Sequence, residues 1–173
     1  MSIEKLSAEK IATITNDANR ERGWRNNERR NFSDFTAVKS IENANLQGAE
    51  LNYSNFGGIS FKNVDFNRAE LRYANFEGCT FEKCRFDNVD GEFTQFKGAK
   101  FKNCLLDGTW IFTNFSEADF AECAFNNADL LFANMGNTVF TESEALNVQH
   151  LDMAKLPNSL EGLKYDEDRF PTL

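Results

Sequence analysis

The sequence predicts an all-β solenoid, a quadrilateral β-helix of about five coils with four pentapeptides in each coil. Two observations lead to this prediction. A large apolar residue recurs at every fifth position over most of residues 46–140. The chain also contains 18 Phe against 3 Tyr and 2 Trp. Because Phe carries a large apolar ring without a polar group, a chain so rich in it is building an interior.

A period of five fits neither a helix, whose face recurs at three and four residues, nor a strand, whose face recurs at two. Each unit instead carries a small, a polar and a large apolar residue in order, as in Ala49-Glu50-Leu51. Two inward residues in five mean that the chain turns a corner in every unit. Four units then close a square coil, and the coils stack about 4.8 Å apart, as paired strands do.

Two units match the pattern A(D/N)LXX directly, ANLQG at residues 44–48 and ADLLF at residues 128–132. On these residues, the region 41–145 resembles the pentapeptide-repeat family. The resemblance implies a right-handed quadrilateral β-helix and says little about function, because the family is defined by its coil. Some members resemble a DNA duplex in width and charge, bind type II topoisomerases and protect them from inhibitors or toxins.

Folding the sequence by twenty residues assigns its large inward side chains to four walls. In the first wall they are Leu46, Phe66, Phe86, Leu106 and Phe125. The fourth wall carries only Phe, at Phe61, Phe81, Phe101, Phe120 and Phe140. The third wall has amides at its polar positions, Asn55, Asn75, Gln95, Asn114 and Asn134. Ring stacks and amides in register predict structural ladders.

The second wall, which follows the first in every coil, is the candidate contact surface. Its polar positions are Glu50, Glu70, Asp90, Thr109 and Asp129. Its outward corner positions, here called the aromatic strip, are Tyr53, Tyr73, Phe93, Phe112 and Phe132. A solvated corner should be polar, so an aromatic strip flanked by acids indicates a contact surface. Two alternatives stay open: the N-terminal helix or the C-terminal tail covers the strip, or the strip is a ladder without a contact.

The second wall also contains an irregularity. Phe93 and Phe112 are nineteen residues apart instead of twenty, so one residue is missing between Leu106 and Trp110. Trp110 thereby becomes an inward residue, one coil after Gly91, where Leu or Phe is expected. Because protein interiors keep crystal-like packing density, we predict that the indole fills the volume that Gly91 leaves.

The two ends are expected to cover the open edges of the β-helix. Residues 1–40 are predicted to contain a capping α-helix, at about residues 8–22, and an irregular first coil. Residues 146–173 are predicted to form a C-terminal cap or tail, with a dimer contact as the alternative. Within this segment, Leu146, Leu151 and Leu156 are predicted to form a last coil.

Charge limits the classes of partner. Residues 41–145 hold 8 Lys/Arg and 16 Asp/Glu, a net charge of −8. Direct nucleic-acid binding is not expected, since phosphate affinity requires clustered Lys and Arg. The sequence lacks the apolar segment of a signal peptide and any apolar run long enough to span a membrane. We therefore expect a cytoplasmic protein without a membrane partner.

The sequence contains few candidates for catalytic or metal-binding residues. The four cysteines, Cys79, Cys84, Cys104 and Cys123, all occupy small inward positions, where Cys behaves as a small hydrophobe. His150 is the only histidine, and the acids follow flat walls instead of facing each other in a cleft. We expect no catalytic residues, metal or cofactor, and therefore no enzyme.

The sequence favours a non-catalytic protein–protein interaction module. Its contact would be the aromatic strip, with Glu50, Glu70, Asp90 and Asp129 giving charge complementarity to a protein partner that the sequence does not identify. One alternative is a DNA-mimicking modulator or protector of a type II topoisomerase. A second is a structural or assembly component, or a homodimer that forms through one end or through the aromatic wall.

Overall fold

Parallel pairing between successive coils organises residues 39–166, the part of the chain that the computed structural model describes. One strand of the fourth wall comes from each coil: β1 (Ser40–Glu42), β2 (Ser60–Lys62), β3 (Thr80–Glu82), β4 (Lys100–Lys102), β5 (Asp119–Ala121) and β6 (Val139–Thr141). Partners lie twenty residues apart, except between β4 and β5, where all three pairs lie nineteen residues apart. The fold is the predicted all-β solenoid, with about six turns. The predicted N-terminal helix lies outside the described residues.

Most corners after the first, second and third walls are tight turns closed by a hydrogen bond between their first and fourth residues, whereas the corners after the fourth wall are bends. In the first coil the backbone N–H of Ala49 donates to the carbonyl of Leu46 at 3.1 Å, and Ser54 donates to Leu51 at 3.2 Å. The residue before each of these donors has a positive φ, 63° at Gly48 and 62° at Tyr53. This is the third residue of a type II turn, a position that favours Gly or Asn. The pentapeptide therefore repeats because nearly every unit ends in a corner with a left-handed residue.

The core is a set of stacked rings. Along the fourth wall, Phe61 lies 5.0 Å from Phe81 and Phe81 lies 4.7 Å from Phe101, with nearly parallel ring planes. Rings from different walls meet edge to face, as Phe61 and Phe66 do at 5.6 Å. Both arrangements suit the quadrupole of an aromatic ring. Ring packing thus fills the axis with side chains and fixes the spacing of the walls.

Trp110 occupies the volume in front of Gly91, as the sequence predicts. A Cβ atom on Gly91 would lie 2.3 Å from the indole Cε3. The indole is fully buried, and its Nε1 donates a hydrogen bond to the carbonyl of Leu106 at 2.8 Å. Its edge contacts Phe96 and Phe115, with centroids 5.7 and 5.6 Å away. A large ring in one coil therefore replaces a side chain in the coil before it.

The missing residue is a corner residue of the fourth coil, between Leu106 and Thr109. There the N–H of Gly108 donates to the carbonyl of Leu106 at 2.9 Å, so the turn spans two residues instead of three. Asp107 lies in this shortened corner. Burial raises the pKa of Asp107 to about 6, and the negative charges of Asp87 and Glu144 contribute to this rise. A hydrogen bond from the backbone of Asn126 acts in the opposite direction and lowers the pKa.

The C-terminal segment corrects one prediction. A last coil is present, but its first inward residue is Ala145, which is buried, and not Leu146, which is half-buried. The period of five holds as far as Ala145. One extra residue at His150, where φ is 54°, then moves the next inward position to Leu151, at the start of a 3-10 helix (Leu151–Met153).

The end of the core is covered within the described residues. Strand β7 (Ser143–Ala145) pairs in parallel with β8 (Leu163–Tyr165). Leu156, Leu160 and Leu163 pack against the core. This segment therefore covers the C-terminal end of the β-helix. Among residues 39–166, no helix has the length and apolar character needed to cross a membrane.

Gly91→Leu should lower the free energy of unfolding by roughly 1–3 kcal/mol, because the added side chain overpacks a filled core. Chemical denaturation measures the loss. Combining it with Trp110→Leu restores the regular repeat, so the double variant should be more stable than the sum of the two single losses predicts. Additive losses, or a neutral Gly91→Leu variant, would contradict the packing of Trp110 against Gly91.

Asp107→Asn should raise stability at pH 7.5 by about 1 kcal/mol, with solvent screening taken into account, and should have little effect at pH 4. A carboxyl whose pKa is raised on folding binds its proton more tightly in the folded state. Its destabilising effect therefore develops as the pH rises from about 4 to about 6. Unfolding curves at both pH values test this, with the exposed Glu77→Gln as control; an equal gain at both pH values would contradict it.

Candidate interaction surface

The aromatic strip lies on the corner between the second and third walls. Each of its residues follows a buried inward residue by two positions, as Tyr53 follows Leu51. All five have left-handed backbone conformations, with φ of 62°, 59°, 58°, 54° and 56° at Tyr53, Tyr73, Phe93, Phe112 and Phe132. This conformation directs the side chains outward, in register from coil to coil.

The five rings form one continuous stack. Centroid distances are 4.9 Å for Tyr53–Tyr73, 4.8 Å for Tyr73–Phe93, and 5.0 Å for both Phe93–Phe112 and Phe112–Phe132. The ring planes are within 6° of parallel, except for 26° in the last pair. The ring faces within the stack are covered by neighbouring rings, so the strip presents mainly ring edges to solvent.

The strip is accessible along most of its length. Tyr53 is 39% exposed, Tyr73 and Phe112 are 47% exposed, and Phe132 is 49% exposed. Phe93, in the middle, is partly buried. Covering of the strip by the N-terminal helix remains a prediction about residues outside the described range. The role of the strip as a binding surface likewise remains a prediction.

Stability alone does not account for the strip. A left-handed backbone costs about 1–2 kcal/mol for a residue other than Gly, whereas a stacked aromatic pair contributes about 0.5–1.5 kcal/mol. Four stacks contribute about 2–6 kcal/mol and five left-handed corners cost about 5–10 kcal/mol, so stacking offsets only part of the cost. The corresponding corners of the other walls often carry Gly or Asn, as at Gly48, Asn63 and Gly58, which tolerate this conformation.

The acids beside the strip are engaged with neighbours. Glu70 accepts a hydrogen bond from the side-chain amide of Asn52 at 2.8 Å. Asp90 pairs with Arg72, with Nε and Oδ2 2.6 Å apart, and the same guanidinium lies 3.5 Å from Glu92. The second wall therefore holds a partly neutralised network, and Arg72 is a residue that the column-by-column prediction omitted.

Asp129 also has a partner that the sequence did not indicate. Its Oδ1 lies 2.8 Å from Nδ1 of His150. Its other hydrogen bond comes from the backbone N–H of Leu131, at 3.0 Å. The imidazole of His150 therefore links the last coil to the second wall.

Comparison with protein families agrees with this architecture. A profile described as "Pentapeptide repeat region" matches residues 33–111, and one described as "Pentapeptide repeats (8 copies)" matches residues 111–142. The chain belongs to the pentapeptide-repeat family. The family assignment confirms the resemblance found in the sequence. It applies to the repeated coil and not to the outward side chains.

Solved pentapeptide-repeat structures resemble this chain at low identity. A trypsin-treated variant of QnrB1, a plasmid-mediated fluoroquinolone resistance protein, is 12% identical, with 76% of this chain and 84% of that chain covered and a TM-score of 0.32. HetL, involved in heterocyst differentiation regulation in the cyanobacterium Nostoc sp. strain PCC 7120, is 17% identical, with 76% and 84% covered and a TM-score of 0.29.

A third structure is a pentapeptide-repeat protein from the Arabidopsis thaliana thylakoid lumen. It is 24% identical, with 68% of this chain and 84% of that chain covered and a TM-score of 0.30. No curated protein matches the sequence.

This pentapeptide-repeat chain extends its strip beyond the five predicted residues. Ile111 and Leu131 directly precede Phe112 and Phe132 and are half-buried at the same corner. In the last coil, the N–H of Ala154 donates to the carbonyl of Leu151, which places the exposed Met153 at the next corner position. The extra residue at His150 hid this correspondence from a strict period of five. The strip is therefore most apolar around Phe112 and Phe132, since the exposed Asp152 precedes Met153.

The amide ladder of the third wall is structural, as predicted, but interrupted. Nδ2 of Asn75 donates to Asn55 at 2.9 Å, and that of Asn134 donates to Asn114 at 3.2 Å. Gln95 accepts from Nδ2 of Asn114 at 3.1 Å, but its own Nε2 turns back to the carbonyl of Phe93 at 3.0 Å, so the ladder breaks between Asn75 and Gln95. This contact joins the amide ladder to the middle of the aromatic strip.

The cysteines are buried and free. Burial raises the pKa of Cys79 to about 12. Hydrogen bonding with Cys104, together with burial, also raises the pKa values of Cys84 and Cys123. Hydrogen bonds with Cys123 and Cys84 lower the pKa of the Cys104 thiol instead. The other three thiols keep their protons, which makes them poor metal ligands and poor nucleophiles. Within residues 39–166, no group of three or more His, Cys, Asp or Glu is arranged to hold a metal ion.

Tyr73→Asn should change the free energy of unfolding by no more than about 1 kcal/mol, because lost stacking is offset by relief of left-handed strain. Phe76→Ala, three residues away in the core, should cost about 3–5 kcal/mol. Denaturant unfolding of both variants provides the comparison. A loss at Tyr73 as large as that at Phe76 would mean that the strip exists for stability.

Proposed function

We propose that this protein is a non-catalytic interaction module that binds a protein partner through the aromatic strip. The proposal rests on a stack of five aromatic rings, four of which are 39–49% exposed. All five residues have a left-handed backbone conformation, which is unfavourable for aromatic residues. Exposed aromatic area is typical of contact surfaces. Its flat, rigid support reduces the entropy lost on binding.

A protein partner fits the strip better than a nucleic acid does. Single strands bind by stacking bases on aromatic faces, and most ring faces of the strip are covered by the next ring at 4.8–5.0 Å. The nearby Glu50, Glu70 and Glu92 would also repel phosphates. Ring edges instead suit the apolar and aromatic side chains of another protein.

Binding is favoured over catalysis by the placement of the polar groups. In the described residues, the second-wall carboxylates lie in a column and have structural partners, such as Arg72 for Asp90 and His150 for Asp129. A general acid–base pair needs groups that converge on one substrate atom. We therefore place the function in recognition.

A DNA-mimicking modulator or protector of a type II topoisomerase is the second candidate. The net charge of −8 in residues 41–145 favours it. The engagement of Asp90 with Arg72 weakens it, because a mimic of the phosphate backbone needs unneutralised charge at regular spacing. A structural component or homo-oligomer that associates through the strip is the third candidate.

Affinity capture from native lysate tests the proposal. The bait is the full chain, compared with a strip variant, Tyr73→Asn/Phe112→Asn, and a control variant, Leu105→Asn/Val139→Asn. Asn suits the left-handed corners, so the strip variant should fold. The control removes two exposed apolar side chains of the first and fourth walls.

A partner retained by the wild type and the control, and lost by at least tenfold with the folded strip variant, is the expected result. Equal capture by all three baits would overturn the proposal. If the strip-dependent partner is a type II topoisomerase, the second candidate moves to first place. Light scattering over a range of concentrations separates the third candidate, which predicts a dimer that the strip variant loses.

A further inference from the structure

We propose that the partner segment that fits the strip is an amphipathic α-helix with basic residues along one flank, lying lengthwise on the ring stack. This inference rests on the proposed function and names the chemistry of its partner. It is carried by the ring spacing, the ring orientation and the unequal charge of the two walls that meet at the strip.

Spacing selects a helix over an extended strand. The rings recur every 4.8–5.0 Å. Side chains on one face of an α-helix recur about every 5.4 Å, the pitch of one turn, whereas those on one face of a strand recur about every 6.6–6.8 Å. Over four ring intervals, a helix drifts by about 2 Å or less and a strand by more than one full ring spacing.

Ring orientation determines what the helix presents. Because the rings stack face to face, the partner meets ring edges, whose hydrogens carry partial positive charge. Aliphatic side chains and the faces of partner aromatics suit such edges, while a cation over a ring face is excluded within the stack. The apolar stripe of a helix therefore belongs on the rings, and its charged residues belong beside them.

Charge determines the flank on which the basic residues lie. In the five coils that carry the rings, the outward positions of the second wall hold five carboxylates, at Glu50, Glu70, Asp90, Glu92 and Asp129, against one guanidinium, that of Arg72. The third wall carries Glu77 and Glu117 against Lys97, and its ladder is uncharged. A helix with Lys or Arg on the second-wall side complements this difference.

The strip also varies along its length. Asn52, Arg72 and Glu92 border its N-terminal rings, whereas Ile111 and Leu131 border Phe112 and Phe132. The apolar face of the helix should therefore be wider where it meets the C-terminal rings. A symmetric antiparallel dimer centred on the strip would set the polar end of one copy against the apolar end of the other, which disfavours a second copy as the partner.

Selection from a phage-displayed library of random 16-residue peptides tests the inference. The full chain is the target, and the strip variant removes peptides that bind elsewhere. Expected binders have apolar residues at positions i, i+3 or i+4, and i+7, with Lys or Arg beside them. As free peptides, they should become helical on binding, lose at least tenfold in affinity with the strip variant, and keep it with the control variant.

Neutralisation provides a second measurement. Glu70→Gln/Glu92→Gln should weaken the selected peptides at least threefold at low salt and should leave the folded state intact. Strip-dependent binders with alternating apolar residues, with acidic flanks or with affinity unchanged by neutralisation would overturn the helix inference and leave the proposed function standing. A selection that yields no strip-dependent binder would overturn both.

Discussion

The hydrogen bonds between coils are the constraint on which the rest of this structure depends. Backbone N–H groups of one coil donate to carbonyls of the next at 2.7–3.1 Å, from Leu46 to Asp65 and onward. These bonds hold equivalent residues about one strand spacing apart. Repetition in sequence thereby becomes repetition in space, and every side-chain column, buried or exposed, follows from it.

Inward and outward positions are subject to different physical constraints. Inward rings must fill a fixed volume, which is why a small residue at Gly91 is matched by a large one at Trp110. Outward corners must adopt a left-handed turn, which Gly or Asn would satisfy with less strain. The aromatic strip departs from that preference at five successive corners, and the proposed binding role rests on this departure.

Most of the fold could be predicted because a solenoid reduces the problem to one period and one register. The missing residue before Trp110 could be predicted for the same reason, since it shortens the spacing between Phe93 and Phe112 from twenty residues to nineteen. Leu146 was wrongly predicted to point inward, and Met153 was omitted from the strip, because an extra residue at His150 changes the spacing of five in the last coil. No residue type in the sequence marks this insertion. The pairing of Arg72 with Asp90 crosses between coils at different positions of the unit, so columns read separately could not reveal it.

Each ring of the strip belongs to a different coil, and this has a consequence for how the surface can fail. Solenoids lose structure by fraying from an end, since each coil is held only by its neighbours. Loss of a terminal coil therefore removes one ring and leaves the others in place. Under the proposed function, recognition by this ladder would be graded by the number of intact coils, in contrast to a pocket, which a single local disruption can abolish.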